Sequence, residues 1–184
     1  LSGLEFACGI PGHIGASIAM NAGAYNEDIS GILKEATVLT PENEVITMSN
    51  EELEYSYRNS FLKRNKKYIV LSATFMLKEG NIEEMQKVVE ERKQKRIATQ
   101  PYDQANAGSV FRNPEGNAAG ALIEKANLKG YCINDAQVST KHANFIVNKG
   151  NATGKDIIEL IEKIQKEIKD KENIELRLEQ IIVR

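Results

Sequence analysis

One helix divides this chain. Asn81 is a good N-cap with Glu84 three positions on, and Ile82, Met85, Val88 and Val89 recur at helical spacing. Arg92, Lys93, Lys95 and Arg96 make its last third basic, which suits the negative end of a helix dipole, and Gln100-Pro101 stops it. With 184 residues in all, the segments on either side suffice for two small subdomains joined at this helix.

The two sides read differently. Residues 1–30 are rich in glycine and small side chains, a composition that lets a backbone approach a ligand closely. Ala36–Thr40 and Glu44–Met48 flank a Pro-Glu-Asn turn and predict a hairpin. Tyr68–Leu77 predicts a strand, buried through Ile69, Val70, Leu71 and Phe75. Beyond Pro101, Ala118–Leu128 predicts a short helix closed at Lys129-Gly130, and Phe145–Val147 a strand. Thr153 opens a long helix with Ile157, Ile161, Ile164 and Ile168 on one stripe. Ile174, Leu176 and Leu178 alternate with Glu175, Arg177 and Glu179 in a final strand reaching about Val183. The fold class is therefore α+β, with antiparallel hairpins and segregated helices.

Composition excludes several functions. The net charge of −2 is made of dispersed charges of both signs, which argues against a nucleic-acid footprint. Trp is absent, so a stacking platform for single strands is not expected. No apolar run reaches membrane-spanning length, and no secretory signal opens the chain; cytoplasm is the expected compartment. Cys8 and Cys132 form neither a disulfide framework nor a metal-ligand spacing, and no metal is expected.

Four motifs carry the chemistry. The first is the glycine-rich run Gly9-Ile10-Pro11-Gly12-His13-Ile14-Gly15-Ala16-Ser17, followed by Asn21-Ala22-Gly23-Ala24-Tyr25. It lacks both the dinucleotide fingerprint and a strict P-loop, so on its own it reads as a structural turn. The second is Tyr57-Arg58-Asn59-Ser60. An arginine fork suits a carboxylate, although a lone Arg is more often a solvated surface residue. The third is Ala107-Gly108-Ser109-Val110-Phe111-Arg112-Asn113-Pro114, which sets a hydroxyl after a glycine and an amide before a proline. The fourth is Gln137-Val138-Ser139-Thr140-Lys141-His142-Ala143-Asn144-Phe145-Ile146-Val147-Asn148.

In this order, over about 3–182, the motifs resemble the MurB-type UDP-N-acetylenolpyruvoylglucosamine reductases, flavoenzymes of cell-wall precursor synthesis. The resemblance implies the second half of a PCMH/MurB-type FAD-binding domain over 1–94, then a small α+β MurB C-terminal substrate domain over 95–184. It implies reduction of UDP-N-acetylglucosamine-enolpyruvate to UDP-N-acetylmuramate, with FAD as cofactor, NADPH as reductant and a monomeric enzyme. Gly9, Ile10, Pro11, Gly12, Gly15, Asn21, Gly23, Ala24 and Tyr25 would line the flavin. Arg58 would bind the enolpyruvyl carboxylate, Ser109 would give the proton, and Glu179 would work beside it. Asn113 would contact the uridine nucleotide, Lys129 the diphosphate, and His142 the substrate by hydrogen bonding. Read without the resemblance, Asn113 is a turn residue, Lys129 a helix-terminal lysine, His142 a structural histidine and Glu179 a solvated strand residue.

The sequence also departs from the family. Ala16 replaces a frequent glycine, Ala105 a proline, Asn134-Asp135 a Gly-Gly pair and Gln180 a valine. The family's Gly-Asn-Gly-Ser-Asn-type loop for the flavin pyrophosphate has no counterpart, so the chain is expected to be the C-terminal part of a longer protein. Two rival readings follow. One is a different flavoprotein sharing only the flavin-binding half, against which the third and fourth motifs speak. The other is a non-catalytic fragment that binds a uridine nucleotide-sugar weakly and cannot hold FAD.

Overall fold

A computed structural model describes residues 1–183. They form two compact units, Leu1–Gln94 and Lys95 onward.

The first unit opens with helix α1 (Ile14–Met20), the short pair β1 (Gly23–Ala24) and β2 (Glu27–Asp28), and then β3 (Leu33–Leu39) and β4 (Val45–Ser49). Helix α2 (Phe61–Arg64) and strand β5 (Ile69–Phe75) complete its sheet, which is antiparallel in the order β4-β3-β5. The expected hairpin is present, with Ala36 opposite Met48 and Leu39 opposite Val45. Two register irregularities shape β3 and β5. Lys34 is extra on β3, between the pairs Leu33–Phe75 and Glu35–Thr74. It lets Leu33 and Ala36, three apart, both face inward and lie fully buried. Leu71 is extra on β5, between Thr37–Ser72 and Val38–Val70. Ile69 and Leu71 are therefore 57% and 53% exposed, which corrects the expectation of a strand buried through both. The core gathers Phe6, Ile18, Ile29, Leu33, Leu53 and Leu62.

Helix α3 (Ile82–Thr99) crosses the boundary between the units. Asn81 caps it as expected, its Oδ1 accepting from the Glu83 and Glu84 N–H groups. Its apolar stripe is only half covered: no residue of α3 is buried, and Ile82 is exposed.

The second unit contains β6 (Ala105–Ser109), α4 (Ala119–Lys125), β7 (Cys132–Ile133), β8 (Ala136–Val138), β9 (Phe145–Asn148) and α5 (Gly154–Glu172). Its sheet is antiparallel in the order β6-β9-β8-β7. Helix α5 begins with a full capping box between Thr153 and Asp156 and ends at left-handed Asn173. It buries Leu160, Ile161, Ile164 and Ile168 against Val110, Phe111 and Ile123. Helix α4 ends earlier than expected, at left-handed Asn127, where the Leu128 N–H reaches the Ile123 carbonyl. Gly130 instead shapes the turn into β7. The expected final strand is reduced to one bridge, Phe111–Leu178, flanked by Arg112 N–H to Arg177 O and Glu179 N–H to Val110 O. Ile174, Leu176 and Leu178 do turn inward. The ladder cannot continue past Asn113, because Pro114 has no N–H to offer.

Candidate functional site

Ser109 sits on a β-bulge. Asn106 pairs with Val147, but the next pair is Ser109 with Phe145, so β6 carries one residue more than β9. Gly108 takes the left-handed backbone this needs, at φ +77°, and its N–H donates to Asn106 Oδ1 at 2.9 Å. The segment after the bulge is held by Asn144. This buried amide copies a strand partner, with Oδ1 accepting from the Phe111 N–H at 3.0 Å and Nδ2 donating to the Phe111 carbonyl at 2.8 Å. The Asn144 carbonyl also accepts from the Val110 N–H. Asn144 stands in the fourth motif without a local signature of this role, because an amide acting as backbone leaves none in the sequence.

Ser109, Asn113 and His142 line one open cleft of about 380 Å³, together with Glu124, Lys141 and Asn144. Asn113 has a structural duty as well. Its Oδ1 accepts from the Ala119 N–H at 3.0 Å, supplying α4 with the cap that Ala118 cannot. Lys129 is half-buried and pairs with Glu124 at 2.9 Å.

Burial holds the His142 pKa below its usual value, and the Lys129 cation adds to the effect. The ring is therefore neutral at pH 7. Its Nδ1 accepts from the Asn144 N–H at 3.2 Å, which leaves the proton on Nε2 as a donor. The ring meets Phe145 edge-on, and a Cβ at Gly120 would come within 3.2 Å of His142 Cε1. A neutral, fixed donor suits hydrogen bonding better than proton transfer.

Glu179 is placed differently. It does not line the cleft; it stands beside the backbone of Val110, and its carboxylate faces Arg112 Nε at 3.4 Å.

In the first unit, Arg58 and the Asn21–Tyr25 motif come together. Ser56 and Asn59 exchange backbone hydrogen bonds across a turn in which Arg58 is left-handed, at φ +54°. Its guanidinium donates to the Gly23 carbonyl at 2.6 Å and to the Asn21 carbonyl at 3.4 Å, and it lies over the Tyr57 ring. Ser60 is fully buried; it caps α2 and donates to the Ala19 carbonyl. Tyr25 is stacked by Arg92, which also pairs with Glu27.

The glycines divide by use. Gly9, Pro11 and Gly12 are exposed, and a Cβ at Gly12 would meet nothing within 4 Å. This open backbone, with Ile10 beside it, fits close approach by a flat cofactor. Gly15 instead packs on Val70, at 3.3 Å from its would-be Cβ. At Gly23 a Cβ would sit 2.4 Å from the Glu27 carbonyl oxygen, so the β1–β2 pair itself demands glycine. Asn21 is likewise occupied within the protein, bonded to Asp28, Ser56 and Ser30. The Asn21 and Ala22 N–H groups donate to Ile18 and Ser17 carbonyls. Among the described residues, no group of three His, Cys, Asp or Glu is placed to hold a metal, and no helix is long and apolar enough to cross a membrane.

Fold and site define a two-unit α+β chain whose second unit presents a hydroxyl on a bulge at a polar cleft. Residues 100–183 match the family model of the UDP-N-acetylenolpyruvoylglucosamine reductase C-terminal domain. The whole chain is 48% identical to a UDP-N-acetylenolpyruvoylglucosamine reductase of Bacillus pumilus and 49% identical to one of Caldanaerobacter subterraneus, covering 60% of each. It also superposes on the crystal structure of such a reductase (MurB) from Thermus caldophilus with a TM-score of 0.84 at 36% identity, over 98% of this chain and 64% of that one. The chain is thus similar to these reductases along its length, and residues 100–183, within its second unit, are the part that matches their C-terminal domain. It spans about three-fifths of the length of the curated relatives it matches.

Proposed function

We propose that this chain forms part of an FAD-dependent reductase that converts UDP-N-acetylglucosamine-enolpyruvate to UDP-N-acetylmuramate, with NADPH as reductant. In this reading the first unit contributes part of the flavin site and the second takes the nucleotide-sugar. The observation that supports it is the cleft, where a bulge-mounted Ser109 shares one wall system with Asn113 and a neutral His142 whose Nε2–H is a hydrogen-bond donor.

Bound FAD would supply the hydride chemistry, held along Gly9, Ile10, Pro11 and Gly12, while Gly15, Asn21, Gly23, Ala24 and Tyr25 build the platform beneath. Arg58, its fork fixed by two backbone carbonyls, stabilises the negative charge that develops on the enolpyruvyl carboxylate. Ser109 delivers a proton to the carbon that becomes carbanionic. His142 donates from Nε2 to a substrate oxygen, Lys129 balances diphosphate charge, and Asn113 contacts the uridine nucleotide. Glu179 serves the same step from beside Val110, in company with Arg112.

Titrating the isotope-labelled chain with UDP-N-acetylglucosamine-enolpyruvate tests the substrate assignment. Backbone signals of Ser109, Asn113, Lys129 and His142 are expected to shift together and saturably. A titration that leaves these four unmoved contradicts the reading.

A further inference from the structure

The bulge that carries Ser109 has a second support besides Gly108. The Gln180 side-chain amide donates to the carbonyls of Ala107 at 3.2 Å and of Gly108 at 3.3 Å. Those two carbonyls belong to the residues the bulge displaces from the β9 ladder, between the pairs Asn106–Val147 and Ser109–Phe145. Both partners are acceptors, so only the NH₂ end of the amide can face them. Gln180 is itself fixed in register, because the neighbouring Glu179 N–H donates to the Val110 carbonyl and Leu178 bridges Phe111. One extended segment thus holds the chain on both sides of Ser109: through its backbone at Val110–Arg112 and through the Gln180 amide at Ala107–Gly108.

We propose that Gln180 is a positioning residue for Ser109, clamping the bulge so that the hydroxyl is delivered to the cleft in one orientation. The proposal rests on Ser109 being the proton donor. Glycine has the widest conformational freedom of any residue, and Gly108 immediately precedes the hydroxyl. A donor fork on both displaced carbonyls restrains that mobility. Proton delivery needs the hydroxyl within hydrogen-bond reach, so loss of the restraint acts on the rate of protonation and leaves substrate binding to the rest of the cleft.

The test uses Gln180→Met, which keeps the length and removes the donors, and Gln180→Glu, which keeps the shape and sets a carboxylate against two carbonyls. In the labelled chain, amide exchange at Ala107, Gly108 and Ser109 is expected to rise in both variants, with Ala136–Val138 unchanged. In the FAD-loaded, full-length reductase, single-turnover reduction of the enolpyruvyl substrate is expected to slow about tenfold in Gln180→Met and further in Gln180→Glu. Flavin reduction by NADPH and substrate Kd should stay within about twofold of wild type. In a Ser109→Ala background neither substitution should add to the loss. Wild-type exchange at 107–109, or a loss in Gln180→Met that persists undiminished without the serine hydroxyl, overturns the positioning role. Near-normal turnover in Ser109→Ala alone overturns the proton-donor reading instead. The exchange data then still report whether the clamp exists.

Discussion

Gly108 decides where the serine stands. Its φ of +77° lies in the left-handed region, and a Cβ there would meet nothing within 4 Å. Gly108→Ala should therefore cost only backbone strain, about 1 kcal/mol, readable as a lowered midpoint in urea denaturation. A cost near zero would mean the bulge relaxes. His142 offers a test by pH. Its pKa is lowered by burial first and by Lys129 second, so the unfolded chain binds more protons than the native one below the ordinary histidine value of 6.5. Stability associated with the neutral ring is present above that value and is lost as pH falls toward the lowered pKa. His142→Gln should show a smaller drop in denaturation midpoint between about pH 7.5 and 5.5 than wild type. An equal drop would assign the acid sensitivity elsewhere. At this scale the sequence was uneven in what it disclosed. The hydroxyl after a glycine could be seen, because Gly-Ser is a backbone signal. The work of Asn144 and Gln180 could not, because an amide reaching a distant carbonyl has no fixed spacing. The residues expected along the flavin are of two kinds in their surroundings. Gly12 faces open space, while Gly23 and Asn21 are consumed by the protein's own packing.

Helix α5 holds the second unit's core. Thr153 accepts from the Asp156 N–H, and Asp156 accepts from the Thr153 N–H in return. Thr153→Ala should cost about 1 kcal/mol by removing one half of that exchange. Ile164, 1% exposed among Val110, Phe111 and Leu160, should cost about 2–5 kcal/mol as alanine. Thermal unfolding of the two variants should rank them in that order; the reverse ranking would place the core elsewhere. Caps and stripes were readable because a helix writes its own period and its own ends. The strands were harder. Lys34 and Leu71 each break the two-residue alternation at a bulge, so an apolar run on β5 reads as buried although half of it faces outward. The last segment alternates correctly yet pairs only around the Phe111–Leu178 bridge: Pro114 ends its partner on one side, and the β6 bulge at Ala107–Gly108 lies on the other. The Asn134-Asp135 departure also finds its reason. Asn134 adopts the left-handed backbone a glycine would take, and Asp135 accepts from the Asn151 N–H.

At the scale of the molecule, the two units carry different parts of one proposed chemistry, and the chain covers about three-fifths of the relatives that are named for it. Its first unit presents an open glycine rim, and the relatives it matches are longer than this chain. This chain alone should therefore retain less FAD through gel filtration than the same chain joined to the segment its longer relatives carry. Equal retention would relocate the affinity to the rim. Proton delivery by Ser109 is tested by anaerobic single-turnover kinetics of the FAD-loaded, full-length reductase with Ser109→Ala. The expected result is reduction of the enolpyruvyl substrate slowed by about 10²–10⁴-fold, with flavin reduction by NADPH still fast and substrate binding nearly unchanged. Substrate reduction at a near-normal rate would contradict the account and return the Gly108–Ser109 bulge to a purely structural role.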